Sequence, residues 1–197
     1  MESGAVLITG LGLAVSAGLN AYIPLLIAGL LVRFDVYSFG EPYDLLGSNA
    51  ALIILGVLLV VEVLADKVPA VDSVNDAIQT FVRPAAGAIL FAGAATGADS
   101  EWPQALALVL GLATAAGVHA TKAAARPVIN VTTAGAGGPV VSTVEDGVSA
   151  GLSLAALLAP LLALVLMLAL LGGVIALVRR RRSRTAVRRS GDPRPPQ

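Results

Sequence analysis

Apolar positions run along this chain in long blocks separated by short polar islands, and the blocks have the length of membrane spans. Residues 4–32 form the first block, which is long enough to cross with tilt, since a span needs about 20 residues. Gly10, Gly12, Gly18 and Gly29 recur through it at spacings that let other helices approach closely. Asn20 and Pro24 fall in its middle. Pro24 offers no N–H to the carbonyl of Asn20, so the block is expected to kink or unwind there. A polar loop over 34–49 follows, with Tyr37 and Tyr43 suited to a membrane interface. The second block begins at Ala50 and is expected to continue to Ala65, with Glu62 near the headgroups or facing protein. Residues 85–98 are apolar but too few to cross alone. Joined to a helix beginning at Asp72 they are long enough, provided that Pro84 only kinks it; the alternative is a re-entrant or interfacial segment. Residues 99–103 read as a turn with an interfacial Trp102 and with Pro103 opening a helix. The block over 104–121 ends near Lys122 and Arg126, and 127–141 reads as a flexible Gly-rich loop. A helix then runs from Ser142 or Thr143 through Val178, as one long kinked span or as a hairpin broken at Pro160. The pattern predicts an all-α, polytopic helical membrane protein with about five spans (four to six) in a transmembrane domain over 1–178.

Composition agrees with this reading. Hydrophobic residues make up 56% of the chain and charged residues 13%, against about 25% charge in soluble domains. There is no cysteine, which excludes disulfides and thiol chemistry, and His119 is the one histidine. The formal net charge of +0 conceals a split. Residues 1–178 carry five basic side chains against twelve acidic ones, a net of −7; residues 179–197 carry eight arginines against Asp192, a net of +7. The run from Arg179 to Arg189 and its Pro-rich end read as a disordered basic tail over 179–197, cytoplasmic by the positive-inside rule and in contact with anionic lipid. Five spans then put the N-terminus outside. Met1-Glu2-Ser3 lacks the basic start of a signal peptide, so the first block is expected to be retained.

The island at 66–84 is the densest charge in the body of the chain. Read as a helix from Asp72, it puts Asp72, Asp76, Gln79 and Arg83 on one face and Val71, Val74, Ile78, Phe81 and Val82 largely on the other. The chain also resembles itself. Residues 12–21 (GLAVSAGLNA) and 111–120 (GLATAAGVHA) share about six positions in ten, which aligns Asn20 with His119. Residues 69–78 and 139–148 align Asp72 with Ser142, Asn75 with Glu145 and Asp76 with Asp146. Two degenerate repeats, about 5–98 and about 104–178, are therefore expected. Asp72 and Ser142 read as helix N-caps, with Ser142-x-x-Glu145 as a capping box. Asp76, Asp146 and Arg83 exceed what capping needs. Inside a membrane such groups should line a polar cavity or pair with one another. Two carboxylates brought together from two repeats could bind a cation or share a proton, and Arg83 could hold an anion. Glu62, Asp66 and Lys67 read as an interfacial charge cluster.

The run from Val60 through Asp66-Lys67-Val68-Pro69-Ala70-Val71-Asp72-Ser73-Val74-Asn75-Asp76 to Gln79-Thr80-Phe81-Val82-Arg83-Pro84 resembles the signature of a bacterial integral membrane family catalogued as domain of unknown function 4126. The segment Ala17-Gly18-Leu19-Asn20-Ala21-Tyr22, with Pro24-Leu25, resembles it as well. The likeness covers about residues 5–178. It implies a bacterial inner-membrane protein and carries no activity or site role with it. No phosphate loop, histidine pair or Gly-x-Ser-x-Gly is present, so no enzyme, cofactor or metal is expected, and no nucleic-acid partner. The expected function is that of a transporter or channel-like translocator, whose site is drawn from Asn20, Asp72, Asn75, Asp76, Arg83, His119, Glu145 and Asp146. The alternative is a non-catalytic scaffold or accessory subunit with the island as a docking surface. A membrane enzyme acting on lipid comes third. Lipid is the expected partner, with a homo-oligomer or a further membrane protein beside it.

Overall fold

The computed structural model describes residues 3–66, 69–98 and 101–190. Among them all regular structure is helical: α1 (Ser3–Leu19), α2 (Tyr22–Arg33), α3 (Asn49–Ala65), α4 (Pro69–Gly97), α5 (Gln104–Thr132), α6 (Gly137–Leu158) and α7 (Pro160–Ser190), with a short 3-10 turn at Tyr43–Gly47. The predicted all-α membrane class is what the chain adopts. Within α4 the stretch Val74–Gly97, together with α5 and α6, is long and apolar enough to cross a membrane, while α1, α2, α3 and Pro160–Ala176 are shorter apolar helices.

The axis of the bundle is α1, which packs on α2, α4, α5, α6 and α7. Its small residues make this possible. A Cβ on Gly12 would sit 2.8 Å from the Ala156 Cβ of α6, and one on Gly18 would sit 2.5 Å from the Val118 Cβ of α5. The closest crossing is between α4 and α5, where a Cβ on Gly87 would lie 2.6 Å from the carbonyl oxygen of Gly111.

The first apolar block is not one span but a helical hairpin. α4 runs antiparallel to α1, with Arg83 beside the Gly18 carbonyl and Phe91 against Gly10. Past the end of α2, the Tyr37 N–H donates to the Leu31 carbonyl, and Phe39 lies against Gly93 of α4. The far end of α2 has thus returned to the level at which α1 begins. The reason is local. The Oδ1 of Asn20 accepts from the Tyr22 and Ile23 N–H groups at 3.0 and 3.1 Å, ending one helix and capping the next. Pro24 falls in the first turn of α2, where its missing N–H breaks no helical bond. The unwinding expected at Asn20 and Pro24 is present, and it goes as far as a reversal.

The hairpin has a base, where α1 begins and α2 ends, and a tip at Asn20. α3 starts at the base, with Leu52 against Gly29, and ends with Glu62 against Arg83. α4 returns to the base and α5 runs parallel to α1. α6 runs back again, with Ser149 donating to the Ser16 carbonyl and Thr9 donating to the Ala156 carbonyl. At Ala159 the chain turns, and α7 folds back along α6 so that Leu166 and Leu170 flank a groove with Val148 and Leu152. The break expected at Pro160 is therefore a hairpin.

Four boundaries differ from expectation. α5 continues through Lys122 and Arg126 to Thr132, so the loop expected over 127–141 shrinks to a few residues; the hydroxyls of Thr132 and Thr133 bond back to the Val128 and Ile129 carbonyls and close its last turn. α4 begins at Pro69 and α6 at Gly137, ahead of Asp72 and Ser142, so neither of these residues is an N-cap and the expected capping box does not form. Proline is well placed at a first helical position, which accounts for the early start of α4. α7 continues to Ser190 through the first part of the tail expected to be disordered, because arginine is a good helix former and Gly191 and Pro193 come later. Residues 191–197 lie outside the described residues.

Candidate functional site

Charge collects at the hairpin tip, inside the bundle. Arg83 lies nine residues into the stretch Val74–Gly97, about 14 Å along the axis at 1.5 Å per residue. The island helix faces inward as its pattern demands: Gln79 and Arg83 are buried, while Val74, Ile78 and Phe81 are exposed.

The innermost layer joins α3, α4 and α5. The Nη2 of Arg83 donates to Glu62 Oε1 at 2.9 Å, with both side chains almost fully buried, at 0% and 1% exposure. Its Nη1 lies 3.2 Å from His119 Nδ1 and 3.5 Å from the Gly18 carbonyl. The state of His119 follows from its partners. Thr80 donates its hydroxyl proton to the Asp76 carbonyl, so toward His119 Nε2, at 3.2 Å, it can only accept. Arg83 can only donate. His119 is therefore neutral, with its proton on Nε2 and a bare Nδ1 facing the guanidinium.

The middle layer holds the tip. The Nζ of Lys122 donates to the Leu19 carbonyl at 3.0 Å and pairs with Glu145 Oε2 at 2.8 Å. Asn20 Nδ2 donates to Asp146 Oδ1 at 2.9 Å. These charges match the helix ends that meet here. Cations lie against the last carbonyls of α1, and Asp146 is tied to Asn20 beside the free N–H groups that open α2.

The outer layer surrounds Asp66, at the end of α3. Ser142 and the Nδ2 of Asn75 donate to its carboxylate, and Arg126 Nη2 lies 3.4 Å away. The Nη1 of Arg126 reaches Asp76 Oδ2, also at 3.4 Å. Burial acts to raise the pKa of Asp66, but the Ser142 hydroxyl, Lys122, Arg126 and Asn75 outweigh it and hold the carboxyl below its ordinary value.

The structure thus brings Asn20, Asn75, Asp76, Arg83, His119, Glu145 and Asp146 to one place. Asp72 falls on α4, but its side chain lies outside the described residues, as does Lys67. Sequence reasoning missed Glu62, Asp66, Lys122 and Arg126 as members of the cluster. It put the first two in an interfacial patch and took the last two as the end of a span. A signal was available: Glu62 and Asp66 at i, i+4, and His119, Lys122 and Arg126 at i, i+3, i+7, each mark one helix face. Among the described residues no group of three or more His, Cys, Asp or Glu side chains is arranged to hold a metal ion.

A buried, charged hairpin tip in an all-helical apolar bundle defines an integral membrane protein with an internal polar site. The family model described as Domain of unknown function (DUF4126) matches residues 7–180, and the chain belongs to that family. No curated protein and no solved structure matches it.

Proposed function

We propose that this chain is a small membrane transporter that passes a polar solute through the charged cluster at the hairpin tip. One observation carries the reading: the innermost pair, Arg83 and Glu62, is enclosed in an apolar bundle about 14 Å along the spanning stretch of α4, where a broken helix presents both of its ends. Charges in such a position are costly and recur on solute pathways, and secondary transporters use half-helix ends in this way. Exposure runs from Arg83 at 0% and Glu62 at 1% to Glu145 at 17% and Asp76 at 18%, while Asp66 stays at 2%, so the site opens beside Asp76 and Glu145. The scaffold alternative needs the island to face outward, and its polar face is turned inward.

The basic run from Arg179 follows α7 out on the tip side. By the positive-inside rule that side is cytoplasmic and the N-terminus is outside, with anionic lipid at the arginines; the bacterial inner membrane is what the resemblance to the family implies. The outward apolar face of α3, with Ile53, Val57 and Val61 exposed, suits lipid or a second copy. An ancient duplication fits the parallel courses of α1 and α5, with the aligned Asn20 just past the end of α1 and His119 on α5. The reading assigns no reaction, cofactor or nucleic-acid partner to the chain.

Single cysteines test it, because the chain has none of its own. Asp76→Cys and Asp146→Cys should react with a small aqueous thiol reagent from the tip side, and Ile78→Cys, on the lipid face, should not. If both cluster positions are inert from both sides, the cluster is a structural tie and the transport reading fails.

A further inference from the structure

The cluster carries a charge imbalance that holding the hairpin does not explain. Among the described side chains, three cations (Arg83, Lys122 and Arg126) meet five carboxylates (Glu62, Asp66, Asp76, Glu145 and Asp146) around a neutral His119, leaving a net of −2. Excess charge away from water is costly until a proton or an ion neutralises it.

Open atoms indicate where this happens. Among the described residues Glu62 Oε2, Gln79 Oε1 and Asp76 Oδ1 are buried acceptors with no hydrogen-bond partner, and the Nε of Arg83 beside them is a buried donor with none. The Glu62 and Gln79 side chains are themselves almost fully enclosed, each 1% exposed. Asp76, Gln79 and Arg83 stand at i, i+3, i+7 on one face of α4, and Arg83 holds Glu62. Asp76 and Gln79 thus share one face of α4, and Glu62 meets that face from α3 through Arg83. All three oxygens are acceptors, so each can take a cation, a proton or the hydrogen of a bound water, and none can take an anion.

We propose that these oxygens bind a monovalent cation, either a sodium ion or a proton, which serves as the coupling ion of the transporter. The coupling rests on the transport reading; the binding does not, and it can be measured alone. A singly charged ion suits the site because one of the three open oxygens belongs to the neutral amide of Gln79 and Glu62 is already paired with Arg83. The surrounding charges leave room for it. Asp76 is faced by Lys122 and Arg126 from α5, Asp66 from the end of α3, Glu145 from α6 and Arg83 on its own helix. Glu62 is faced by Arg83 from α4, Lys122 from α5 and Tyr22 from α2, with Asp66 one turn along its own chain.

The test uses the full chain in detergent micelles. Thermal unfolding is followed at constant ionic strength as sodium or potassium replaces choline, and the infrared band of protonated carboxyl groups is recorded at neutral pH. If the ion is sodium, the midpoint rises with the logarithm of sodium concentration above the dissociation constant, choline has no effect, and the rise is lost in Gln79→Leu and Asp76→Asn. If the ion is a proton, sodium changes nothing, and a protonated carboxyl band is present that Asp76→Asn removes. A midpoint insensitive to every cation, together with carboxyl groups that are all ionised, overturns the proposal. Should Asp76→Asn fail to fold, Gln79→Leu, which breaks no ion pair, carries the sodium comparison, and isotope editing of the aspartates carries the proton one. Binding without labelling of the tip-side cysteines would refute transport and coupling and leave the cation site standing; labelling without binding would overturn the cation site and leave transport standing.

Discussion

Replacing Arg83 by methionine keeps most of its bulk and removes the one cation bonded to Glu62. The Glu62 carboxylate is then left enclosed at 1% exposure without its partner 2.9 Å away. Breaking a buried pair in this way costs about 3–5 kcal/mol. The chemistry also sets a ceiling. A stranded glutamate can escape by taking up a proton, and at pH 7, against an ordinary value of about 4.3, that costs about 3.7 kcal/mol at about 1.36 kcal/mol per unit. The expected loss is therefore about 3–4 kcal/mol at pH 7, and it shrinks by about 1.4 kcal/mol for each pH unit below that. Pairing Arg83→Met with Glu62→Leu removes the stranded charge and should return most of the loss, since apolar replacements of buried pairs are often neutral or better. Equilibrium unfolding in mixed micelles, run on the wild type, both single variants and the double variant at two pH values, measures each quantity. A double variant as unstable as the sum of the singles, or a loss that does not change with pH, would refute the reasoning that Arg83 is there to hold a buried charge.

Other consequences follow from the same geometry. Asn20→Leu removes the acceptor for the Tyr22 and Ile23 N–H groups and the bond to Asp146, and should cost about 1–2 kcal/mol by the same unfolding assay. Gly87→Val pushes a branched side chain into the Gly111 carbonyl and should separate α4 from α5, lowering stability by about 1–3 kcal/mol or abolishing folded yield; Gly56→Ala, which meets nothing, should be neutral. Asp66, held below its ordinary pKa, contributes stability that is fully present above about pH 4, the unfolded value, and lost as pH falls through the folded one. Acid unfolding of Asp66→Asn should therefore begin from a lower plateau and show a shallower slope than the wild type. Val57→Lys, at the middle of the outward face of α3 and 58% exposed, should reduce membrane insertion by about 2.5–3.5 kcal/mol in a glycosylation-based insertion assay if that face meets lipid.

The fold class and the inward face of α4 were legible because both rest on spacing along a single element: block length for the spans, and the 3.6-residue period for Asp76, Gln79 and Arg83. The hairpin was only half legible. Pro24 and Asn20 marked a break, but whether a broken helix kinks or reverses depends on what receives its ends, and those partners, Lys122, Arg83 and Asp146, come from distant parts of the chain. The same dependence hid half of the cluster. Glu62 and Asp66 end an apolar block and Lys122 follows one, which in an isolated helix is where charges meet headgroups. They are interior because the facing helices each carry the opposite charge at the same level, and pairing across helices leaves no trace in local pattern. Ser142 illustrates the converse error. Its spacing to Glu145 fits a capping box, but with α6 already begun at Gly137 its hydroxyl serves Asp66 and Glu145 serves Lys122.

Every part of the account depends on residues 3–33 entering from one side and turning back at Asn20. Sided labelling of three single cysteines tests this directly: Gly4→Cys at the start of α1, Val36→Cys just past α2, and Val131→Cys near the end of α5, all at exposed positions. The hairpin predicts that Gly4→Cys and Val36→Cys react from the same side of the membrane and Val131→Cys from the other. If Gly4→Cys and Val36→Cys react from opposite sides, the first block crosses as one span, and the tip and its charged site do not exist as described.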